Sequence, residues 1–228
     1  VSARVGLYAD APKPPMTVGY EVSGTIDAVG AGVDDFAVGD RVIGLTRFGG
    51  QSSSVVIPTA QATHLPDSLD LVEAAAIPVN YLTAYLMLVR LGSVRPGQSV
   101  LIHAAAGGVG FAALQVCQIL GAETFGTASA GKHDRLRAEG LDHPIDYRNQ
   151  DFSVEVKRLT KGRGVDVILD AVGGATTRKN YKLLAPMGRL FLFGASSTSQ
   201  DSKRNLAKVV SAVAQFPVFH PISLMNSN

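Results

Sequence analysis

The segment Val100-Leu101-Ile102-His103-Ala104-Ala105-Ala106-Gly107-Gly108-Val109-Gly110 restricts this chain more than any other stretch of it. A short strand-like run, Val100–His103, ends in a glycine turn, and an apolar period of helical spacing follows over Val109–Leu120. Strand, glycine turn and helix in that order form the first half of a βαβ unit. The alternation continues downstream. Thr124–Thr127, Pro144–Tyr147, Val165–Val172 and Leu190–Phe193 read as strands. Lys132–Glu139, Phe152–Thr160, Thr176–Leu184 and Arg204–Gln215 read as helices. Strands alternating with helices of this size imply right-handed crossovers and a parallel sheet covered on both faces. The expected fold class is α/β, a doubly wound parallel sheet.

Residues 1–66 have a different texture, with short apolar runs between Gly, Pro and Asp turns. Val22–Val29, Arg41–Leu45 and Ser53–Ile57 read as strands of a small β-rich unit. Ala74–Leu91 is mostly apolar, but Pro78, Asn80, Thr83 and Arg90 interrupt it, so a buried helix is expected rather than a transmembrane segment. The 228 residues leave room for one large or two small domains. With 21 Lys and Arg against 19 Asp and Glu, and no run of like charge, no nucleic-acid partner is expected. The single cysteine, Cys117, excludes an intrachain disulfide and fits a reducing, cytoplasmic compartment. Val1-Ser2-Ala3-Arg4 reads neither as a signal nor as a transit peptide, and without an initiator Met the chain is expected to begin inside a longer polypeptide.

The glycine turn has the context of a dinucleotide fingerprint. Gly107 would let backbone approach a pyrophosphate, Gly110 would let the helix pack close to its strand, and the helix N-terminus would offer N–H groups to the phosphates. Ala105 stands where the fingerprint has its first glycine, so the strict motif fails. The alternative is a glycine-rich turn that binds nothing. The tip of the next strand, Thr127-Ala128-Ser129-Ala130-Gly131-Lys132, carries no acid to hold a ribose 2′-hydroxyl. Ser129 and Lys132 could instead hydrogen-bond and neutralise a 2′-phosphate, which favours NADPH; the plainer reading leaves Lys132 as a solvated surface residue.

With these residues in view, the chain resembles the medium-chain dehydrogenase/reductase superfamily, in its zinc-independent quinone oxidoreductase branch. The markers are Gly19-Tyr20-Glu21-Val22-Ser23-Gly24, Val38-Gly39-Asp40-Arg41-Val42 and Glu73 to Tyr85, then His103 to Gly110, Gly164 to Asp170 and Val172-Gly173-Gly174. Within the branch, Phe125 to Ser129, His143-Pro144-Ile145-Asp146-Tyr147 and Lys203-Arg204-Asn205-Leu206 are most similar to the group of the synaptic vesicle membrane protein VAT-1. The resemblance implies a partial GroES-like substrate domain over 1–75 and a Rossmann dinucleotide-binding domain over 76–228. It also implies that the family's first strands and its sixth Rossmann strand lie outside this chain.

By that resemblance Asn80 and Thr83 match positions near the nicotinamide and its phosphates. Gly107, Gly108 and Val109 match the pyrophosphate turn, Ser129, Lys132 and Tyr147 the 2′-phosphate and adenosine side, and Phe193 and Gly194 the strand end beneath the nicotinamide ribose. Tyr8 matches a tyrosine lining the substrate cleft and is the candidate catalytic hydrogen-bond donor. Tyr8, Tyr147 and Phe193 could equally be packing residues, and Thr83 a helix hydroxyl bonded to backbone. His103 is expected to be structural. The implied activity is hydride transfer from NADPH to a small-molecule substrate, a quinone or an activated alkene, by a protein that is a homodimer at full length. The alternative is an NADPH-binding interaction module at a membrane surface.

Zinc alcohol dehydrogenases have Gly-His-Glu where this chain has Gly19-Tyr20-Glu21, and their later cysteine ligand falls on Val79. Neither a phenol nor an isopropyl group is an ordinary zinc ligand, and one cysteine cannot build a four-cysteine lobe. Elemental analysis of the dialysed protein should therefore find far less than one zinc per chain; a stoichiometric value would overturn this expectation.

Overall fold

The computed structural model describes residues 3, 8 and 10–196. The helix expected at 204–215 and the Lys203–Leu206 motif lie outside the described residues. The chain separates into two compact units, one ending at Leu82 and the other beginning at Thr83.

The first unit is built on a three-stranded antiparallel sheet in the order β1 (Glu21–Thr25), β2 (Arg41–Leu45) and β3 (Ala62–His64). β1 and β2 pair from Glu21 opposite Leu45 to Thr25 opposite Arg41. The expected strand over Ser53–Ile57 does not form. No ladder pairs these residues, and the sheet consists of β1, β2 and β3 alone. Ile57 alone of that run packs inward, its Cδ1 reaching within 2.4 Å of where a Cβ on Gly44 would stand, while Val56 is 98% exposed. A short helix α1 (Leu71–Ala74) is capped by Asp70, whose carboxylate accepts from the Val72 N–H at 2.7 Å. Helix α2 (Pro78–Tyr85) follows and continues as a π-helical turn over Leu86–Leu91. The Val79 N–H at its start donates to Glu21 Oε2 at 2.8 Å, so the glutamate of the Gly19-Tyr20-Glu21 motif caps this helix. The apolar stretch 74–91 is thus broken into short pieces buried along one side. Among the described residues no helix is long and apolar enough to cross a membrane.

The second unit is a five-stranded parallel sheet of β4 (Ser99–Ile102), β5 (Glu123–Ala128), β6 (His143–Asp146), β7 (Val165–Asp170) and β8 (Leu184–Leu192). Its order is β6-β5-β4-β7-β8. The chain therefore winds outward from β4 to β6, then crosses back beside β4 with β7, and this reversal is the topological switch point of a doubly wound sheet. Connecting elements are α3 (Gly108–Leu120), α4 (His133–Ala138), α5 (Phe152–Leu159) and α6 (Ala175–Tyr181). Every residue of β4 and β7 is buried, as befits central strands covered on both faces. Leu101, Phe125, Ile145, Phe152, Val156 and Ile168 form the heart of the core.

β8 is longer than the expected Leu190–Phe193. Its register with β7 jumps from Val165–Leu184 to Val167–Arg189, so 185–188 bulge out, with Met187 at φ +63°. At the amino edge Asp166 joins the two central strands, accepting from Ser99 N–H at 2.8 Å and Ser99 Oγ at 2.9 Å and pairing with Arg163. Burial alone would raise its carboxyl, but the Arg163 guanidinium and the Ser99 donors outweigh that and hold it below the usual range.

Helix α3 meets the exit of β4 across a contact with no room for a side chain. A Cβ on Gly110 would stand 2.4 Å from the Ala104 carbonyl oxygen and 2.8 Å from Ala105 Cα, both backbone atoms. Gly110→Ala should therefore cost about 2–3 kcal/mol, at the upper end of overpacking penalties, and lower the melting temperature by roughly 5–10 °C. Gly131→Ala, where nothing lies within 4 Å of the new Cβ, is the control and should leave thermal unfolding nearly unchanged.

Candidate cofactor site at the carboxyl edge

The carboxyl ends of the strands converge on the switch point between β4 and β7. The turn leaving β4 takes its sharp bend at Ala104, whose φ is +52°, and not at Ala105. The left-handed conformation costs Ala104 about 1 kcal/mol, and its surroundings hold it there. Its N–H donates to Thr127 Oγ1 at 3.2 Å and its carbonyl accepts from Gly107 N–H at 2.8 Å; the next N–H, of Ala105, donates to the Thr127 carbonyl at 3.0 Å. Ala105 therefore needs no positive φ, which explains how alanine stands at the first glycine of the fingerprint.

Gly107 is the N-cap of α3 and offers no side chain to it. The amides of Gly108, Val109 and Gly110 have no acceptor within the helix. Gly107 and Gly108 are exposed and Val109 is half-buried, so this positive helix end faces outward at the sheet edge.

β5 and β6 pair with Ala128 beside Asp146, which sets Ser129 and Tyr147 next to one another at the strand tips. Ser129 opens a 3-10 turn over Ala130–Lys132, closed by the Lys132 N–H on the Ser129 carbonyl at 2.9 Å. Lys132 is exposed, and Tyr147 is 55% exposed. The strand tip itself, Thr127–Ser129, carries no carboxylate.

A cavity of about 650 Å³ opens on this edge between the strand ends and the starts of α5 and α6. Among its walls are His103, Thr127, Tyr147, Arg148, Val172 and Lys179. Of the residues nominated from sequence, Tyr147 alone lines it; Gly107–Val109, Ser129 and Lys132 stand on the same carboxyl edge of the sheet. Phe193 and Gly194 follow β8, where the Phe193 N–H donates to the Asp170 carbonyl at 3.1 Å. A Cβ on Gly194 would lie 2.8 Å from the Ala171 carbonyl oxygen, a close approach only glycine allows. Thr83 is half-buried on α2.

Asn80 and Tyr8 belong to the first unit. The Asn80 side-chain amide donates to the Ala76 carbonyl at 2.7 Å. Tyr8 is 45% exposed, and its ring meets Tyr20 edge-on at 6.2 Å. Burial, with the Tyr8 phenol beside it, pushes the Tyr20 phenol up to about 12, so it is neutral at pH 7. Among the described residues no group of three or more His, Cys, Asp or Glu side chains comes together as a metal site.

Sequence reasoning missed Thr127, Arg148, Val172, Thr176 and Lys179 as cavity walls. The rule that ligands meet an open sheet at the carboxyl ends of its strands could have nominated Thr127 and Arg148, each within two residues of a strand end.

The structure agrees with known proteins. The GroES-like domain model of alcohol dehydrogenases matches residues 1–67, and the zinc-binding dehydrogenase domain model matches 108–218. The CurK enoyl reductase structure is 34% identical, with a TM-score of 0.80 over all of this chain and 70% of that one. The chain belongs to the medium-chain dehydrogenase/reductase superfamily. The Escherichia coli quinone oxidoreductase complexed with NADPH is 31% identical, with a TM-score of 0.83 over 99% of this chain and 64% of that one. A synaptic vesicle membrane protein VAT-1 homolog from Danio rerio is 46% identical over 227 residues, 99% of this chain and 47% of the relative. The chain thus spans about half the length of the curated VAT-1 relatives it matches.

His103, expected to be structural, is a wall of the cavity whose imidazole is nonetheless buried and bonded at both nitrogens. It is 2% exposed; Nε2 donates to Asn180 Oδ1 at 2.7 Å and Nδ1 accepts from the Thr127 hydroxyl at 3.1 Å. Burial pushes its pKa down, against the opposing pull of the Asn180 bond and the Asp170 charge. The unfolded chain therefore takes up the proton first. Stability from this group is complete above the unfolded value of about 6.5 and falls as the pH drops below it. Urea unfolding should show wild type losing up to about 1.4 kcal/mol more than His103→Gln between pH 7.5 and 5.5, the limit for one proton with that unfolded pKa.

Proposed function

We propose that the chain is a zinc-independent oxidoreductase that uses NADPH to reduce a quinone or an activated alkene. The observation that carries the reading is the conjunction at the switch point: an uncapped helix N-terminus at Gly107–Gly110 beside a strand tip without a carboxylate. The residues present fit the dinucleotide. Gly107 leaves its backbone open to a pyrophosphate, with only the Ala104 carbonyl near its missing Cβ, at 3.2 Å. The amides of Gly108 and Val109 would bind the phosphate oxygens, and Ser129, Lys132 and Tyr147 would hold the 2′-phosphate and adenosine. By family resemblance Asn80, Thr83, Phe193 and Gly194 serve the nicotinamide end. The similarity to a quinone oxidoreductase complexed with NADPH and to an enoyl reductase supports both the cofactor and the substrate class.

When bound, the nicotinamide supplies the hydride. The protein's part is to orient it and to meet negative charge that develops on the substrate oxygen. Without a metal, that charge needs a hydrogen-bond donor, and Tyr8 is the residue proposed for it. Turnover of NADPH with quinones or enones above a protein-free blank supports the enzyme. Vesicle co-sedimentation with NADPH binding and no turnover would replace it with an interaction module.

Lys132 gives the sharpest test of the cofactor. A charge-assisted hydrogen bond to phosphate contributes roughly 1.5–3 kcal/mol, so Lys132→Ala should weaken NADPH about ten- to a hundredfold. NADH, lacking the 2′-phosphate, should be nearly unaffected, and added salt should weaken NADPH more than NADH. Nicotinamide fluorescence titrations of both cofactors measure this; equal wild-type affinities, or equal losses, would overturn the assignment.

A further inference from the structure

We infer that Arg148 is a second cation of the 2′-phosphate subsite and, with Lys132, sets the preference for the phosphorylated dinucleotide; this rests on the NADPH reading above. Arg148 stands two residues beyond the end of β6, directly after Tyr147, and both line the 650 Å³ cavity. Its guanidinium carbon lies 6.0 Å from the centre of the Tyr147 ring, within range of a cation–π contact.

The turn that presents this pair is held from several sides. The Arg148 N–H donates to Asp146 Oδ1 at 3.1 Å and the Asn149 side-chain amide to Oδ2 at 2.6 Å. The Asp146 N–H donates to Gln150 Oε1 at 2.9 Å, and the Asn149 and Gln150 N–H groups return to the Asp146 carbonyl at 3.1 and 2.8 Å. So many bonds within five residues determine where the side chains of Tyr147 and Arg148 leave the backbone.

The backbone of Arg148 is thus committed to structure, while its guanidinium is engaged only by charge attraction to Asp146 and by the Tyr147 ring. Among the described residues it makes no ion pair and no hydrogen bond, unlike Arg158 and Arg163, which pair with Glu155 and Asp166. The strand register brings the Ser129 tip alongside Tyr147, and His133, next to Lys132, donates to the Ala128 carbonyl at 3.2 Å. Lys132 and Arg148 therefore follow the two neighbouring strand ends, β5 and β6, one a point charge and one a planar fork. A dianionic phosphate monoester suits that combination: the fork can bind two oxygens at once, and the ammonium adds charge.

Fluorescence titration of the intact chain with NADPH and NADH tests the inference, comparing wild type, Lys132→Ala, Arg148→Ala and Arg148→Lys. Arg148→Ala should weaken NADPH tenfold or more and change NADH less than twofold, with Arg148→Lys in between. Competition by 2′-AMP should weaken in Arg148→Ala, while competition by 5′-AMP should not. Unchanged NADPH affinity in Arg148→Ala, beside a loss in Lys132→Ala, would overturn the role of Arg148 and leave the NADPH reading standing. Equal losses for both cofactors would make Arg148 a structural residue and also overturn it. A wild type that fails to distinguish NADPH from NADH would remove the cofactor reading itself. Circular dichroism of each variant separates any of these from misfolding.

Discussion

Everything at the carboxyl edge depends on backbone packed against backbone where β4 turns into α3. With no Cβ at Gly110, the helix comes down onto Ala104 and Ala105. A second absent side chain supports the first: a Cβ on Gly126 would stand 2.8 Å from the methyl carbons of Leu141 and 3.0 Å from that of Ala105. Ala105 is thus clamped between strand β5 and helix α3. Its neighbour Ala104 takes the unfavourable backbone angle, and Thr127 bonds to the N–H groups on both sides of the bend. Strain of about 1 kcal/mol persists where surrounding contacts over-determine it. The result is a helix N-terminus aimed at the switch point with little freedom to move.

The acidic residues near this edge are used up in building it. Asp170, fully buried, accepts from the Val172 and Gly173 N–H groups at 2.9 Å each and from the Thr177 hydroxyl at 2.7 Å. Asp146 binds the turn that follows β6, and the Asn149 amide and Arg148 N–H hold its carboxyl below the usual range. Asp151 caps α5 and pairs with Lys179, which with Ser153 lowers it to about 2. Carboxylates that satisfy backbone donors cannot also repel a bound anion at full strength, because those donors offset their charge. Lys132 and Arg148, by contrast, are exposed and make no ion pair among the described residues. A sheet edge with nearly balanced charge can in this way present a locally positive face.

The sequence was most legible where one physical signal acted alone. β2 falls at Arg41–Leu45, as read, and α3 begins one residue early at Gly108 because Gly107 is its cap. Burial of β4 and β7 on both faces makes them continuous apolar runs that composition alone reveals. Ser53–Ile57 has apolar residues that suit a strand, whereas pairing is decided by tertiary context. β8 was read too short because Pro186 and Gly188 mark a bulge inside a strand as readily as a turn before one. The glycines of the turn were legible through their spacing. Arg148 was not, since nothing local distinguishes a guanidinium without a hydrogen bond from one paired across the fold.

Gly19-Tyr20-Glu21 shows how a motif can be read correctly and still carry a different task. In the zinc alcohol dehydrogenases this position holds Gly-His-Glu. Here Gly19, at φ +114°, packs against Gly50 and Gln51 so tightly that a Cβ would lie 2.5 Å from the Gln51 nitrogen. Glu21 spends its carboxylate on the Val79 N–H at the start of α2, a role that needs no metal. Between them the Tyr20 phenol, packed on Phe48 at 5.0 Å and raised to about 12, would have to lose both its proton and its burial to coordinate an ion. The two flanking residues of the motif are therefore explained by backbone geometry and helix capping. The central one makes an aromatic contact where a metal-binding relative would place an imidazole.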